Sequence, residues 1–216
     1  MGRENGTTRE RLIGAAGEVF AEVGFQNATV REICSRAEAN VAAVSYHFGD
    51  KLGLYSAVLQ EAYRAAMEKH PPTAGLRPGA STRERLHAFV RSFLYRILDR
   101  GRPAWHGKLM AREIAEPTAA LDGLVQQSIR PNFELLCDIL RDHLGPGFDA
   151  GVIRRTAWSI VGQVLFYHFA RPVIDRLARD VRFDPPEIDR LAEHVTRFSI
   201  GALAALKRGR KAVAAS

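Results

Sequence analysis

Two cysteines in 216 residues, Cys34 and Cys137, are too few for a disulfide framework and point to a reducing compartment. Long apolar runs are also missing. The longest uncharged stretch, Thr156 to Ala170, contains Ser159, Gln163 and His168 and falls short of the roughly 18 apolar residues that a membrane span needs. No apolar segment precedes Leu12, so no signal peptide is expected and the protein is placed in the cytoplasm. The usual hydrolase, zincin and phosphate-loop motifs are absent, and Gly145-Pro146-Gly147 lacks the preceding strand of a dinucleotide fingerprint. The seven histidines are scattered, with no metal-ligand spacing among themselves or with the cysteines. No enzyme, metal or cofactor is therefore expected. Positive charge is missing where a nucleic-acid reading would want it. The chain carries a formal +7, yet residues 1–70 hold eight lysines and arginines against nine acids. DNA binding by that part has to rest on placed residues and not on bulk charge.

Helical periodicity is present throughout, and no stretch alternates long enough for a strand, so the expected class is all-α. Leu12, Ile13, Ala16, Val19, Phe20 and Val23 form one stripe, with a Thr7/Glu10 capping box at its start and Gly24 as a left-handed stop. A second Thr-x-x-Glu box, Thr29/Glu32, opens a short helix with Val30, Ile33, Cys34 and Ala37 inward. Asn40 caps a third helix, with Val41, Val44 and Phe48 inward, and Asp50 caps a fourth that begins at Lys51. Two short helices around a turn of three or four residues match a helix-turn-helix. The linker-like stretch 70–81 places a domain boundary, giving domains 1–70 and 71–216. Further helices are expected over 82–100, 103–115, 117–143, 150–179 and 185–208, with a frayed basic tail from Lys207.

The outward positions of the third helix, Asn40, Ala42, Ala43 and Ser45, are small enough to let it sit deep in a major groove. Tyr46, His47 and Lys51 can flank that groove and bond phosphates. The helix start at Thr29 offers free N–H groups to another phosphate, and Arg3, Arg9 and Arg11 can add contacts. The string Tyr46-His47-Phe48-Gly49-x-Lys51 behind this helical pair, together with Phe20-Ala-Glu-Val-Gly-Phe25, resembles the DNA-binding domain of TetR-family regulators. The resemblance implies that these side chains contact phosphate and close a three-helix core. Glu38 departs from it, standing in the interhelical turn where the family usually has glycine; such a residue at positive φ costs on the order of 1 kcal/mol.

Arg112 to Leu121, Ile129-Arg-Pro131 and Gly162 to Pro172 resemble the C-terminal domain of the CecR-like subgroup. That implies a helical effector-binding and dimerisation domain and an association with efflux and tolerance to toxic small molecules. From the residues themselves, the segment 150–171 is apolar on two sides, with Ile153, Ala157, Ile160, Val161 and Val164 opposite Trp158, Leu165, Phe166 and Phe169. One side should face a second copy, together with a last helix whose stripe includes Val195, Phe198 and Ala202. Phe89, Phe93, Trp105, Met110 and Phe133 can line an apolar pocket, with His106, Gln163, Tyr167 and His168 as sparse polar groups. Together these features describe a ligand-responsive, homodimeric transcriptional repressor acting on a palindromic double-stranded operator. A helical ligand-binding scaffold dimer without DNA binding is the alternative.

Overall fold

The computed structural model describes residues 7–98 and 104–214. Among them are helices and turns and no strand, as the all-α expectation has it. In chain order the helices are α1 (Thr8–Asn27), α2 (Val30–Arg36), α3 (Val41–Phe48), α4 (Lys51–Lys69), α5 (Thr82–Leu98), α6 (Ala104–Ala115) and α7 (Ala120–Leu124). They continue with α8 (Arg130–Leu144), α9 (Ala150–Phe169), α10 (Arg171–Leu177) and α11 (Pro185–Ala214), and a π-helical turn, Val125–Ile129, joins α7 to α8.

Side-chain caps set most starts. Thr7 and Glu10 form the complete box at α1, Asn40 accepts from the Ala42 amide at 2.9 Å, and Asp50 accepts from Gly53 at 2.7 Å. Asp149 and Asp184 do the same for α9 and α11. At α2 only half of the expected box forms: Thr29 accepts from the Glu32 amide, but the Glu32 carboxylate is drawn to Arg36 at 2.7 Å. An ion pair one turn along offers that carboxylate more than a neutral amide does.

Four departures from the sequence expectation have local causes. Gly24, at φ 80°, interrupts α1 without ending it, and a further turn runs to Asn27. The expected helix 117–143 is α7, a π turn and α8; Pro131 has no N–H for the Gln127 carbonyl and its ring crowds that oxygen, so the helix widens just upstream. Pro172 acts likewise on the His168 carbonyl and divides the expected helix 150–179 at Ala170. The expected frayed tail is instead helical to Ala214, where Arg210 donates to the Pro146 carbonyl and lies over the Phe148 ring.

By packing, the chain forms two compact units. The first comprises Met1–Ala66 and Arg100–Pro131, the second Met67–Asp99 and Asn132–Ser216. In the first, Leu12, Ala16, Phe20, Ile33, Val44, Leu54 and Val58 bury completely or nearly so, and Leu109 and Leu124, far along the chain, join them. Helix α6 is fastened there at three points. Trp105 lies over Gly17, where even a methyl group would meet the indole at 2.6 Å. The Arg112 guanidinium covers Gly24 in the same way. Glu113, fully buried, accepts from the Tyr55 hydroxyl at 2.8 Å and from the Thr118 amide at 2.9 Å. Burial and the adjacent carboxylate push the Tyr55 phenol far above its usual range, which keeps it a donor.

In the second unit α5, α9 and α11 pack around Leu86, Val90, Leu94, Ala157, Val164, Ala192 and Leu203, with Leu136 and Leu140 of α8. The α11 stripe runs Ile188, Ala192, Val195, Ser199, Leu203. Phe198, expected on it, falls one position off that 3.6-residue track and is 63% exposed.

Candidate nucleic-acid interface

Helices α2 and α3 are joined by Ala37-Glu38-Ala39, tied by Ala37 N–H to the Ile33 carbonyl and Ala39 N–H to the Cys34 carbonyl. Glu38 sits at φ 50°, the one non-glycine residue among those described with positive φ. Ile33, Cys34, Ala37 and Val44 bury the inner sides of the pair. Burial raises the Cys34 thiol above its ordinary range, which makes it a packing group and not a reactive one.

The outer side of α3 carries Val41, Ala42, Ser45, Tyr46 and His47, all exposed. Val41 was expected inward and Ala43 outward; the structure exchanges them. Val41 occupies the first turn and is 50% exposed, whereas Ala43 is half-buried against the core. Tyr46 is 83% exposed, braced by the edge of His47 at 4.9 Å between ring centroids. A large aromatic held that far from the core does nothing for packing, and it stands beside the small residues that give α3 room in a groove.

The expected phosphate contacts are distributed unevenly. Thr29 is exposed at the start of α2, its oxygen accepting from Glu32. Lys51 faces the other way: its ammonium donates to the carbonyls of Phe25 at 2.9 Å, Gln26 at 3.4 Å and Ala28 at 3.1 Å, and lies 4.6 Å from the Phe25 ring centroid. All three of its N–H bonds are thereby committed to the end of α1. Arg9 leans over Phe48 and Arg11 reaches Thr8, both exposed, while Arg3 lies outside the described residues. Arg36 is held by Glu22 and Glu32. Sequence reasoning passed over Arg31, exposed in the first turn of α2; its place two residues after the cap Thr29 was the available signal.

The residues expected to line an effector pocket do not share one compact unit. Trp105, His106 and Met110 belong to the first, where Trp105 covers Gly17, His106 is buried and Met110 packs against the core. Phe89, Phe93, Phe133, Gln163, Tyr167 and His168 belong to the second. There Phe89 is core, Phe93 meets its edge, and Phe133 stacks with Trp158 at 6.4 Å. Tyr167 packs on Phe183, Gln163 bonds the Ser159 carbonyl at 3.3 Å, and His168 rests against Phe169. Among the described residues no three His, Cys, Asp or Glu side chains gather as a metal site, and no helix is long and apolar enough to cross a membrane.

A capped short helix, a tight turn and a second helix with a bare outer face, seated on a long first helix, define a helix-turn-helix DNA-binding regulator. Residues 12–58 match the bacterial regulatory proteins of the tetR family, and residues 82–203 match the C-terminal domain of the HTH-type transcriptional dual regulator CecR. The chain belongs to the TetR family, with a CecR-type C-terminal domain. It is 29% identical over 203 residues to the HTH-type transcriptional dual regulator CecR of Shigella flexneri, covering 87% of each chain. It is 34% identical over 77 residues to the HTH-type transcriptional regulator UidR of Escherichia coli K12, which covers 35% of this chain and 39% of that one. A TetR-like transcriptional regulator from Rhodococcus sp. RHA1 shares the fold, with a TM-score of 0.63 at 22% identity over 94% of this chain and 98% of that one. Regulators of this family bind DNA and dimerise, and the relatives are transcriptional regulators rather than enzymes. The family domains and the packing units do not coincide: α6 and α7 lie in the matched C-terminal domain yet pack with α1 to α4.

Proposed function

We propose that the chain is a cytoplasmic homodimeric repressor that sets its two α3 helices into successive major grooves of a palindromic operator. The observation that carries this is the outer face of α3, where Tyr46 stands in solvent beside Val41, Ala42 and Ser45. Tyr46, His47, Thr29, Arg9, Arg11 and Arg31 supply phosphate contacts, and Lys51 shapes the surface from behind. Residues 1–70, braced by α6 and α7, read DNA, and the remainder of residues 71–216 dimerises and receives an effector. Support for the dimer comes from α9 and α11, whose exposed Trp158, Phe166, Phe169 and Phe198 form an apolar surface of the kind that two copies cover.

The effector is a small hydrophobic or amphipathic molecule held in the second unit, where Phe133, Gln163, Tyr167 and His168 combine ring surface with few polar groups. By linkage it weakens operator affinity by the factor by which operator weakens its own binding, about 1–3 kcal/mol for a typical coupling. The test is selection of genomic fragments by the purified dimer at low salt. The expected result is a palindrome with half-site centres about one helical turn apart, released by a ligand found in a screen of hydrophobic toxins. Failure to recover any fragment would favour a scaffold dimer without DNA binding, and recovery without sequence preference would overturn the operator reading.

A further inference from the structure

The outer face of α3 has no lysine, arginine, aspartate or glutamate. At its start the Asn40 carboxamide oxygen accepts from the Ala42 amide, and the first residues of the helix itself are Val41 and Ala42, both exposed. In a helix-turn-helix the first residues of the second helix meet base edges. This chain therefore brings an isopropyl and a methyl group to the place where many regulators bring an arginine or a glutamine. The four bases answer such groups differently. Guanine shows two acceptors and cytosine an amino donor, and an apolar group pressed on either strips its water and returns no hydrogen bond, a loss of about tenfold or more. Thymine shows the C5 methyl, the one apolar group in the major groove. Val41 adds a second indication. It lies half exposed in an eight-residue helix whose core contact is supplied by Val44 and Phe48, so its isopropyl group is spare surface unless something apolar covers it.

Resting on the reading that α3 enters the major groove, we infer that Val41 and Ala42 read thymine methyl groups. Each operator half-site then carries thymines at adjacent positions beneath the start of α3. Ser45, one turn further on, brings a hydroxyl that both donates and accepts and so suits an adenine edge beside them. Specificity rests on shape and methyl contact, with charge confined to the phosphate contacts around it.

The experiment uses the full-length dimer and a random-sequence duplex pool, followed by replacement of single thymines in the enriched half-site by deoxyuridine, which removes the methyl and nothing else. The expected result is adjacent thymines in the enriched half-site and about fourfold weaker binding for each methyl removed, the factor for about 0.8 kcal/mol per buried methyl-sized group. The Val41→Ala protein, altered only on its exposed side, should lose its response to deoxyuridine at one of those positions and keep it at the other. Enrichment of G·C pairs beneath α3, or deoxyuridine without effect in wild type, overturns the inference while the DNA-binding reading stands. A pool that yields no preferred duplex overturns both.

Discussion

Lys51 shows how one side chain can look like a surface contact in sequence and act as an internal brace. Its position after Gly49-Asp50 places it beside the recognition helix, but its ammonium closes the open carbonyl end of α1 at Phe25, Gln26 and Ala28. Replacement by alanine is expected to lower stability by about 2 kcal/mol, since hydrogen bonds from a charged donor are the stronger kind. The salt dependence of DNA binding should stay nearly unchanged, where loss of a phosphate contact would reduce its slope by about one. Denaturant melts and a binding series across salt concentrations check the pair of outcomes. Glu38 offers the opposite case. Its φ of 50° suits glycine, so Glu38→Gly should raise stability by about 1 kcal/mol, with Glu38→Gln as the control for charge. A melting temperature that falls with Glu38→Gly would show that the turn is held by something other than its backbone preference.

At the level of elements, caps and periodicity made most helices readable: Thr7, Asn40, Asp149 and Asp184 do what their positions imply. The breaks were harder. Pro131 and Pro172 were visible, but whether a proline ends a helix, divides it or widens it into a π turn depends on what the neighbouring turns pack against. The candidate site was half legible. The outward side of α3 could be read from its period except at its first turn, where Val41 escapes the pattern because the helix end leaves the core. The seating of α6 was hidden, because nothing local pairs Gly17 with Trp105 or Tyr55 with Glu113 across more than fifty residues. That buried pair carries a prediction. Tyr55→Phe removes the hydroxyl donor from a fully buried carboxylate while keeping the ring against Phe20, and should destabilise the first unit by about 1–3 kcal/mol. Adding Glu113→Gln on top should cost less than the two single changes together, and a double-mutant cycle by thermal melting tests that coupling.

At the scale of the molecule, the exposed faces of α9 and α11 bear on assembly. Ala202, beside Phe198 and Gly201, is exposed in the single chain, so Ala202→Glu should leave the fold intact and weaken the dimer at least tenfold. Sedimentation reads the mass, and Trp158, 58% exposed in one copy, should shift its emission to the blue when the dimer forms. A wild-type protein that stays monomeric at micromolar concentration would contradict this surface and two-headed DNA binding with it.

The seating of α6 bears on how such regulators can be recombined. A head cut at the linker near residue 70 would leave behind Trp105, Leu109, Glu113 and Leu124, exposing Gly17 and stranding the Tyr55 hydroxyl among apolar neighbours. The heritable module for reading DNA is therefore not the contiguous piece that sequence matching delimits but two pieces that must travel together. Chimeras built to give this head a new effector domain should keep α6 and α7 from the parent and take α5 together with α8 to α11 from the donor, because a single crossover between α4 and α5 parts α6 from α1, and one within α8 parts α5 from α9 and α11.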